Sequence, residues 1–273
     1  PATGGDCQKL RYGDIEKGFA EADHIIEKEF ATCPRRAAPI ENFVTLAVPD
    51  GSDAITIYAA TQCPHGNAGP IAHALGMPLS KVRIINPAMG GGFGVKNYQT
   101  TEAATATLAL KIGKPVKWAC DTQEMYNMCG TNHGVYFKYK IGFKNDGTLV
   151  ALQRKSYTAA GAYRGVAILI TMKITYWGCG PYNIPNQAAD CYVVATNRNH
   201  GVAFRGFGMA QPTFALEVLM DMIAEKLQMD PYELRKKNLI HDGDHMPTGQ
   251  VVRSSGIEMT LDKVAEMSEW TGC

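Results

Sequence analysis

The chain has 273 residues, 45% of them hydrophobic and 19% charged, with a formal charge of +1. Such a length buries one large core or two modest ones, and such a balance gives no electrostatic reason to bind nucleic acid or an anionic membrane surface. The longest apolar run, Val166 to Ile174, is too short to cross a bilayer and carries Lys173, so neither nucleic acid nor membrane is expected as a partner.

The first residues, Pro1 to Asp6, have neither signal-peptide nor initiator character and read as a cut into a longer polypeptide. Asp14 to Ala20 reads as a short helix and Ile25 to Phe30 as a strand running to the Pro34-Arg35-Arg36 break. Phe43 to Val48 and Ala54 to Ala60 alternate as strands across a Pro-Asp-Gly-Ser-Asp loop. Asn67 to Leu75 is a helix stopped by Gly76, Lys81 to Ile85 a strand, Tyr98 to Ile112 a helix ending at Gly113, and Pro115 to Cys120 a strand. Val135 to Phe143 and Thr148 to Thr158 flank Lys144-Asn145-Asp146-Gly147, a hairpin signal. Ala159 to Ile174 reads as an irregular apolar region, and Ala189 to Ala195 as a strand. From Pro212 to Leu227, Phe214, Val218, Leu219, Met222, Ile223 and Leu227 form an apolar helix face. Asp230-Pro231-Tyr232-Glu233 opens another helix, and little signal follows Gly243. The sum is an α+β fold: mixed sheets with antiparallel hairpins and packed helices.

The eight cysteines show no C-x-x-C spacing, which favours free thiols in a reducing cytoplasm over a disulfide framework, a zinc site or cluster ligation by this chain. His65, His73, His133 and His200 are scattered, and no nucleophile elbow, paired-carboxylate motif or H-E-x-x-H is present. What stands out is Met89-Gly90-Gly91-Gly92-Phe93-Gly94-Val95-Lys96. Consecutive glycines contribute nothing to packing and leave backbone N–H groups open to an oxygen-bearing ligand. The stretch follows a strand and precedes the Tyr98 to Ile112 segment, yet its spacing fits neither a P-loop nor a dinucleotide fingerprint. A second turn, Phe204-Arg205-Gly206-Phe207-Gly208, also feeds a helix. Two backbone-donor turns with little titratable equipment point to chemistry carried by a bound cofactor.

Thr61-Gln62, then Gly90 to Gly94 with Lys96, then Ala203 to Gly208, together with Gly13-Asp14-Ile15-Glu16, Ala22-Asp23 and Arg235-Lys236-Lys237-Asn238-Leu239, resemble the molybdenum-binding subunit of the xanthine dehydrogenase/aldehyde oxidase family. The resemblance covers about residues 12 to 242. It implies residues 1–12 as a linker, 13–242 as the first molybdenum-cofactor-binding domain of that type, and 243–273 as an extension toward a second half of the subunit. It implies a molybdenum–pterin cofactor, as molybdopterin or its dinucleotide form. Gln62 would hydrogen-bond the oxygen or sulfur ligands of the metal, the backbone at Gly92-Phe93 would approach its apical oxygen, and Arg205-Gly206 would hold the cofactor from another side. Asn97, Val166, Lys173 and Phe207 would bear on the substrate, Phe207 as an aromatic wall. No residue of the chain would ligate the metal directly.

Two positions depart from the xanthine-oxidising pattern: Asn97 stands where those enzymes carry a glutamate, and Lys173 where they carry an arginine. Lys keeps the charge and loses the planar fork, so an N-heterocyclic or acidic aromatic substrate is implied rather than xanthine itself. No copper-binding Cys stands in the second turn, which sets aside the carbon monoxide branch. The family's glutamate base belongs to the second half of the subunit, so no catalytic residue is expected in this chain and the isolated chain is expected to be inert. Partners implied are a second molybdenum-binding domain or subunit, an iron–sulfur subunit with 2Fe-2S clusters and a flavin subunit with FAD. Two other readings remain: reductive dehydroxylation of an aromatic thioester with the same cofactor, and a scaffold domain that has lost its site.

Overall fold

The computed structural model describes residues 7–51, 53–98 and 100–272; the first six residues, Ser52, Gln99 and Cys273, and with them the reading of the chain's start, lie outside the described residues. In chain order the elements are β1 (Cys7–Tyr12), α1 (Ile15–Ala20), β2 (His24–Ala31), β3 (Val44–Asp50), β4 (Ala54–Ala59), α2 (Pro64–Leu75), β5 (Val82–Ile85), α3 (Glu102–Ile112), β6 (Val116–Ala119), α4 (Thr122–Met128), β7 (Val135–Phe143), β8 (Leu149–Gly161), α5 (Ala167–Trp177), β9 (Asn186–Ala195), α6 (Ala210–Leu227), α7 (Pro231–Asn238) and α8 (Ile257–Met267). They fall into two compact units, the first made of residues up to 33, 133–197 and from 206 onward, the second of residues 34–132 and 198–205.

The first unit is built on a five-stranded sheet, β1-β9-β8-β7-β2, antiparallel except for the parallel pair β8–β9. Alternation along β7 buries Val135, Phe137, Tyr139, Ile141 and Phe143 on one face and leaves Tyr136 and Lys138 on the other, as a half-buried strand requires. Helix α6 covers this core with Ala215, Leu216, Leu219, Met220, Ile223 and Ala224. This differs in part from the expected face: Leu219 and Ile223 are shared and buried, Met222 and Leu227 pack against the same core only partly buried, and Phe214 is 50% exposed. The stripe is rotated toward the small residues Ala215 and Ala224, which let the helix axis approach more closely than a face of larger side chains allows.

The stretch expected to be irregular after Gly161 holds helix α5, which connects β8 to its parallel neighbour β9. Its sequence, rich in β-branched Ile and Thr, hides the helix, because Ala167, Ile170, Thr171, Ile174 and Thr175 are all buried and no polar stripe marks a period. Its end is held by Arg154, 2% exposed, which donates from Nη1 and Nη2 to the carbonyls of Ile174 and Thr175 at 3.0 and 3.1 Å. Residues 7–12, read as linker, form β1, and the low-signal tail holds α8, tied to α7 by Tyr232 and Lys236 on Asp262 at 2.7 and 2.9 Å.

The second unit is a four-stranded sheet, β5-β4-β3-β6, with β4 and β5 parallel across α2. Ala47, Ile55, Ile57, Ile71, Ala106 and Ala109 pack its core between the sheet and α2 and α3. Among the described residues no helix is long and apolar enough to cross a membrane. Cys120, Cys129, Cys179 and Cys191 are free and buried, whereas Cys33 and Cys63 are free and exposed.

Candidate cofactor site

In the second unit the glycine stretch leaves β5 and does not run straight into a helix as expected. Gly94 starts a short 3-10 turn over Val95–Asn97, and α3 begins only at Glu102. Val95 anchors the turn in a cluster with Phe43, Cys120, Met125, Cys129 and Val202. Within the turn Phe93 takes a left-handed φ of 54° and is 43% exposed. That conformation is costly for a side-chain-bearing residue and persists only where surroundings enforce it.

The enforcement is visible bond by bond. The carbonyl of Phe93 accepts the N–H of Arg205 at 2.9 Å, and the carbonyl of Gly92 accepts that of Val95 at 3.1 Å. The N–H of Gly94 donates to Gln62 Oε1 at 2.7 Å. Gln62 itself is held through its own N–H, which donates to the carbonyl of Lys96 at 2.9 Å. The neighbouring Thr61 hydroxyl donates to the same carbonyl at 3.1 Å and accepts from Cys63 N–H and Asn67 Nδ2. The turn and the Thr61-Gln62 segment are thus one hydrogen-bonded body.

This corrects the reading that the glycines contribute nothing to packing. A Cβ on Gly92 would lie 2.6 Å from Gln62 Oε1, and one on Gly94, where φ is 103°, would lie 2.5 Å from the carbonyl oxygen of Ala203. Side chains are excluded there by protein as well as by any ligand.

Gln62, Gly92, Phe93 and Arg205, picked out from the sequence, are therefore brought together. Asn97 closes the 3-10 turn, half-buried, its N–H on the carbonyl of Gly94 at 3.2 Å. What the sequence did not disclose is Glu41. Its Oε2 accepts Lys96 Nζ at 2.6 Å and Gly90 N–H at 3.0 Å. Lys96 was visible only as a cation after the glycines; it is 1% exposed.

In the first unit Gly206, Phe207 and Gly208 are all left-handed, with φ of 93°, 43° and 93°, just before the N-terminus of α6. A Cβ on Gly208 would meet the carbonyl oxygen of Ile170 at 2.9 Å, so this turn is seated on α5. Val166 caps α5 and is partly buried against the core. Lys173 is half-buried on the same helix, its ammonium 5.0 Å from the Trp177 ring centroid one turn on. It has no carboxylate partner among the described residues.

The donor set sets the chemistry these turns can do. Among the described residues, the N–H groups of Gly92 and Phe93 in one unit and of Gly206, Phe207 and Gly208 in the other meet no acceptor, and Gln62 Nε2 donates to none. Gly92 and Gly208 are buried residues, where an unmet N–H is costly. Such groups fit a ligand rich in oxo, sulfido and phosphate acceptors. Among the described residues no three His, Cys, Asp or Glu side chains converge to hold a metal ion. The buried Glu102 has its carboxyl pushed up by burial, but its Oε2 is committed to Thr100 N–H at 2.6 Å.

A fold of this kind with paired donor turns is that of the molybdopterin cofactor-binding domain, whose family profile matches residues 2–239; the chain belongs to that family. It is 34% identical over 272 residues to the nicotinate dehydrogenase large molybdopterin subunit of Eubacterium barkeri, an alignment covering 97% of this chain and 64% of that protein. It is 33% identical over 266 residues to the xanthine dehydrogenase/oxidase of Gallus gallus, covering 96% of the chain and 20% of that protein. The solved aldehyde oxidoreductase from Desulfovibrio gigas superposes with a TM-score of 0.90 at 33% identity, over 98% of this chain and 30% of that one. The chain therefore spans less than two thirds of the length of these relatives.

Proposed function

We propose that this chain is the cofactor-binding half of a molybdenum hydroxylase subunit acting on an N-heterocyclic or acidic aromatic substrate with oxygen derived from water. The observation that carries the reading is the fixed amide of Gln62. Because Oε1 takes the Gly94 N–H at 2.7 Å, the amide is oriented and its Nε2 is the end left to donate. A molybdenum–pterin group, when bound, supplies the redox chemistry.

The chain's own residues bind and orient. Gln62 Nε2 and the N–H groups of Gly92 and Phe93 donate to acceptor atoms of the cofactor. Arg205 and Gly206 are proposed to hold it as well; within the first unit the N–H groups of Gly206 to Gly208 lie just before the positive end of α6. These groups are fixed before a ligand arrives, so no reorganisation is needed as charge develops. The glutamate base, 2Fe-2S clusters and FAD come from the second cofactor-binding domain and from partner subunits.

On the substrate side, Asn97, Val166, Lys173 and Phe207 set the preference. Lys173 offers a cation with no carboxylate of its own, suited to an anionic ring substituent, and one relative bears the name nicotinate dehydrogenase. In the full-length protein isolated with its partners, molybdenum and a pterin derivative are expected in the active material. Lys173→Met is expected to raise KM for an N-heteroaromatic carboxylate about 10-fold or more, the worth of one charge-assisted bond, and to leave a neutral aldehyde nearly unaffected. Absence of molybdenum from active protein, or equal effects on both substrates, would overturn the reading.

A further inference from the structure

We infer that Glu41 and Lys96 are a positioning pair for the cofactor-facing donors, an inference that rests on the reading of Gln62 and the glycine turn given above. Glu41 touches both ends of the turn. Its N–H donates to the carbonyl of Gly90 at 3.2 Å, and its Oε2 accepts Gly90 N–H at 3.0 Å and Lys96 Nζ at 2.6 Å. One carboxylate therefore closes the segment from Gly90 to Lys96, which contains the left-handed Phe93 and the N–H groups of Gly92 and Phe93.

Lys96 extends the hold to the other donor. Its carbonyl accepts the Gln62 N–H and the Thr61 hydroxyl at 2.9 and 3.1 Å, while Gln62 Oε1 returns to Gly94 N–H. Pull Lys96 out of place and the Gln62 amide and the turn backbone both shift. The two partners are unequal. Lys96 is 1% exposed, whereas the Glu41 side chain is 30% exposed. Removing the charge of Glu41 leaves a buried ammonium unmatched, while removing the ammonium leaves a carboxylate with water and Gly90. Both residues act through Gln62 and the turn, as positioning residues.

The test uses the full-length protein with its partners, as Glu41→Gln, Lys96→Met, Lys96→Arg and the double variant Glu41→Gln/Lys96→Met. Hydrogen exchange is read first, on protein freed of cofactor. The Gln62 and Gly94 amides are expected to exchange at least 10-fold faster in Glu41→Gln, less so in Lys96→Met, with β4 unchanged. In loaded protein, turnover per molybdenum is expected to fall at least 10-fold in Glu41→Gln with KM altered less than 3-fold and the molybdenum EPR signal shifted. Lys96→Arg, which keeps the charge, is expected to retain most of the wild-type turnover, and the double variant to fold as well as wild type. Wild-type exchange at Gln62 and Gly94 in Glu41→Gln and Lys96→Met overturns the pair's role whatever the site binds. Faster exchange with wild-type turnover per molybdenum and an unchanged EPR signal reduces the pair to a structural contact and overturns it equally. A wild-type protein without molybdenum sinks the cofactor reading alone, and the exchange data still decide the pair.

Discussion

At Gly92 an added methyl would press on Gln62 Oε1 and Cδ, atoms at the far end of a flexible side chain, whereas at Gly94 it would press on the backbone carbonyl of Ala203 at 2.5 Å with φ at 103°. The two glycines thus fail in different ways. Gly92→Ala is expected to fold with little loss of stability, since Gln62 can swing aside, but to lose turnover and cofactor affinity because the amide leaves its place. Gly94→Ala combines a backbone clash with a left-handed Cβ and is expected to cost about 2 kcal/mol or more in stability. Thermal unfolding of cofactor-free protein separates them: a large drop for Gly92→Ala with none for Gly94→Ala would contradict the geometry. This is also where the sequence was most informative and most incomplete. Phe93 and Arg205 stand out because each sits in a glycine-rich turn, and Gln62 because it belongs to the set of stretches that carries the family resemblance. Glu41 does not, because its bond to Gly90 spans 49 positions and a single acid after Pro39-Ile40 has no local pattern to mark it.

Elements were legible where the chain signals its own turns. Lys144-Asn145-Asp146-Gly147 joins β7 to β8 as expected, and Asp146 shows why: Oδ1 accepts Thr148 N–H at 3.0 Å and Oδ2 pairs with Lys237 at 3.1 Å. The hydrogen bonds to Thr148, with help from Lys237, lower its carboxyl to about 2. An unfolded Asp titrates near 4. Ionised Asp146 therefore favours the folded state at pH values above about 4, and that contribution is lost as pH falls from about 4 toward about 2. Because the pair is largely exposed, its worth after screening is about 0.5 kcal/mol. Asp146→Asn is expected to lower the urea midpoint at neutral pH, with the gap to wild type closing below pH 4; a gap constant down to pH 3 would count against this assignment. Elements were missed where tertiary burial overrides pattern. The β-branched α5 has no polar face, and β1 buries only Leu10. Helix α4 is a different case, since the Asp121 and Glu124 capping box that starts it was readable in the sequence.

For the whole molecule, the question is whether the two units contain everything a reaction needs. Three carboxylates close to the described turns and core are engaged. Glu41 is on Lys96 and Gly90, Glu102 on Thr100, and Glu217 on Arg235 and the Tyr182 hydroxyl. A general base must reach the proton it removes, and each of these is turned toward a partner that holds the fold. The chain also spans 64% of the nicotinate dehydrogenase large molybdopterin subunit and 20% of the chicken xanthine dehydrogenase/oxidase, so much of what those proteins carry lies beyond it. The isolated 273-residue chain, given cofactor, an N-heteroaromatic carboxylate and an artificial electron acceptor, is therefore expected to show no turnover above the protein-free background, while the full-length protein with its partners turns over in the same assay. Circular dichroism of the isolated chain guards against a trivial result, since only a folded sample tests the point. Turnover by the folded chain alone would overturn this expectation, and Glu41, the carboxylate already beside the glycine turn, would be the first to substitute.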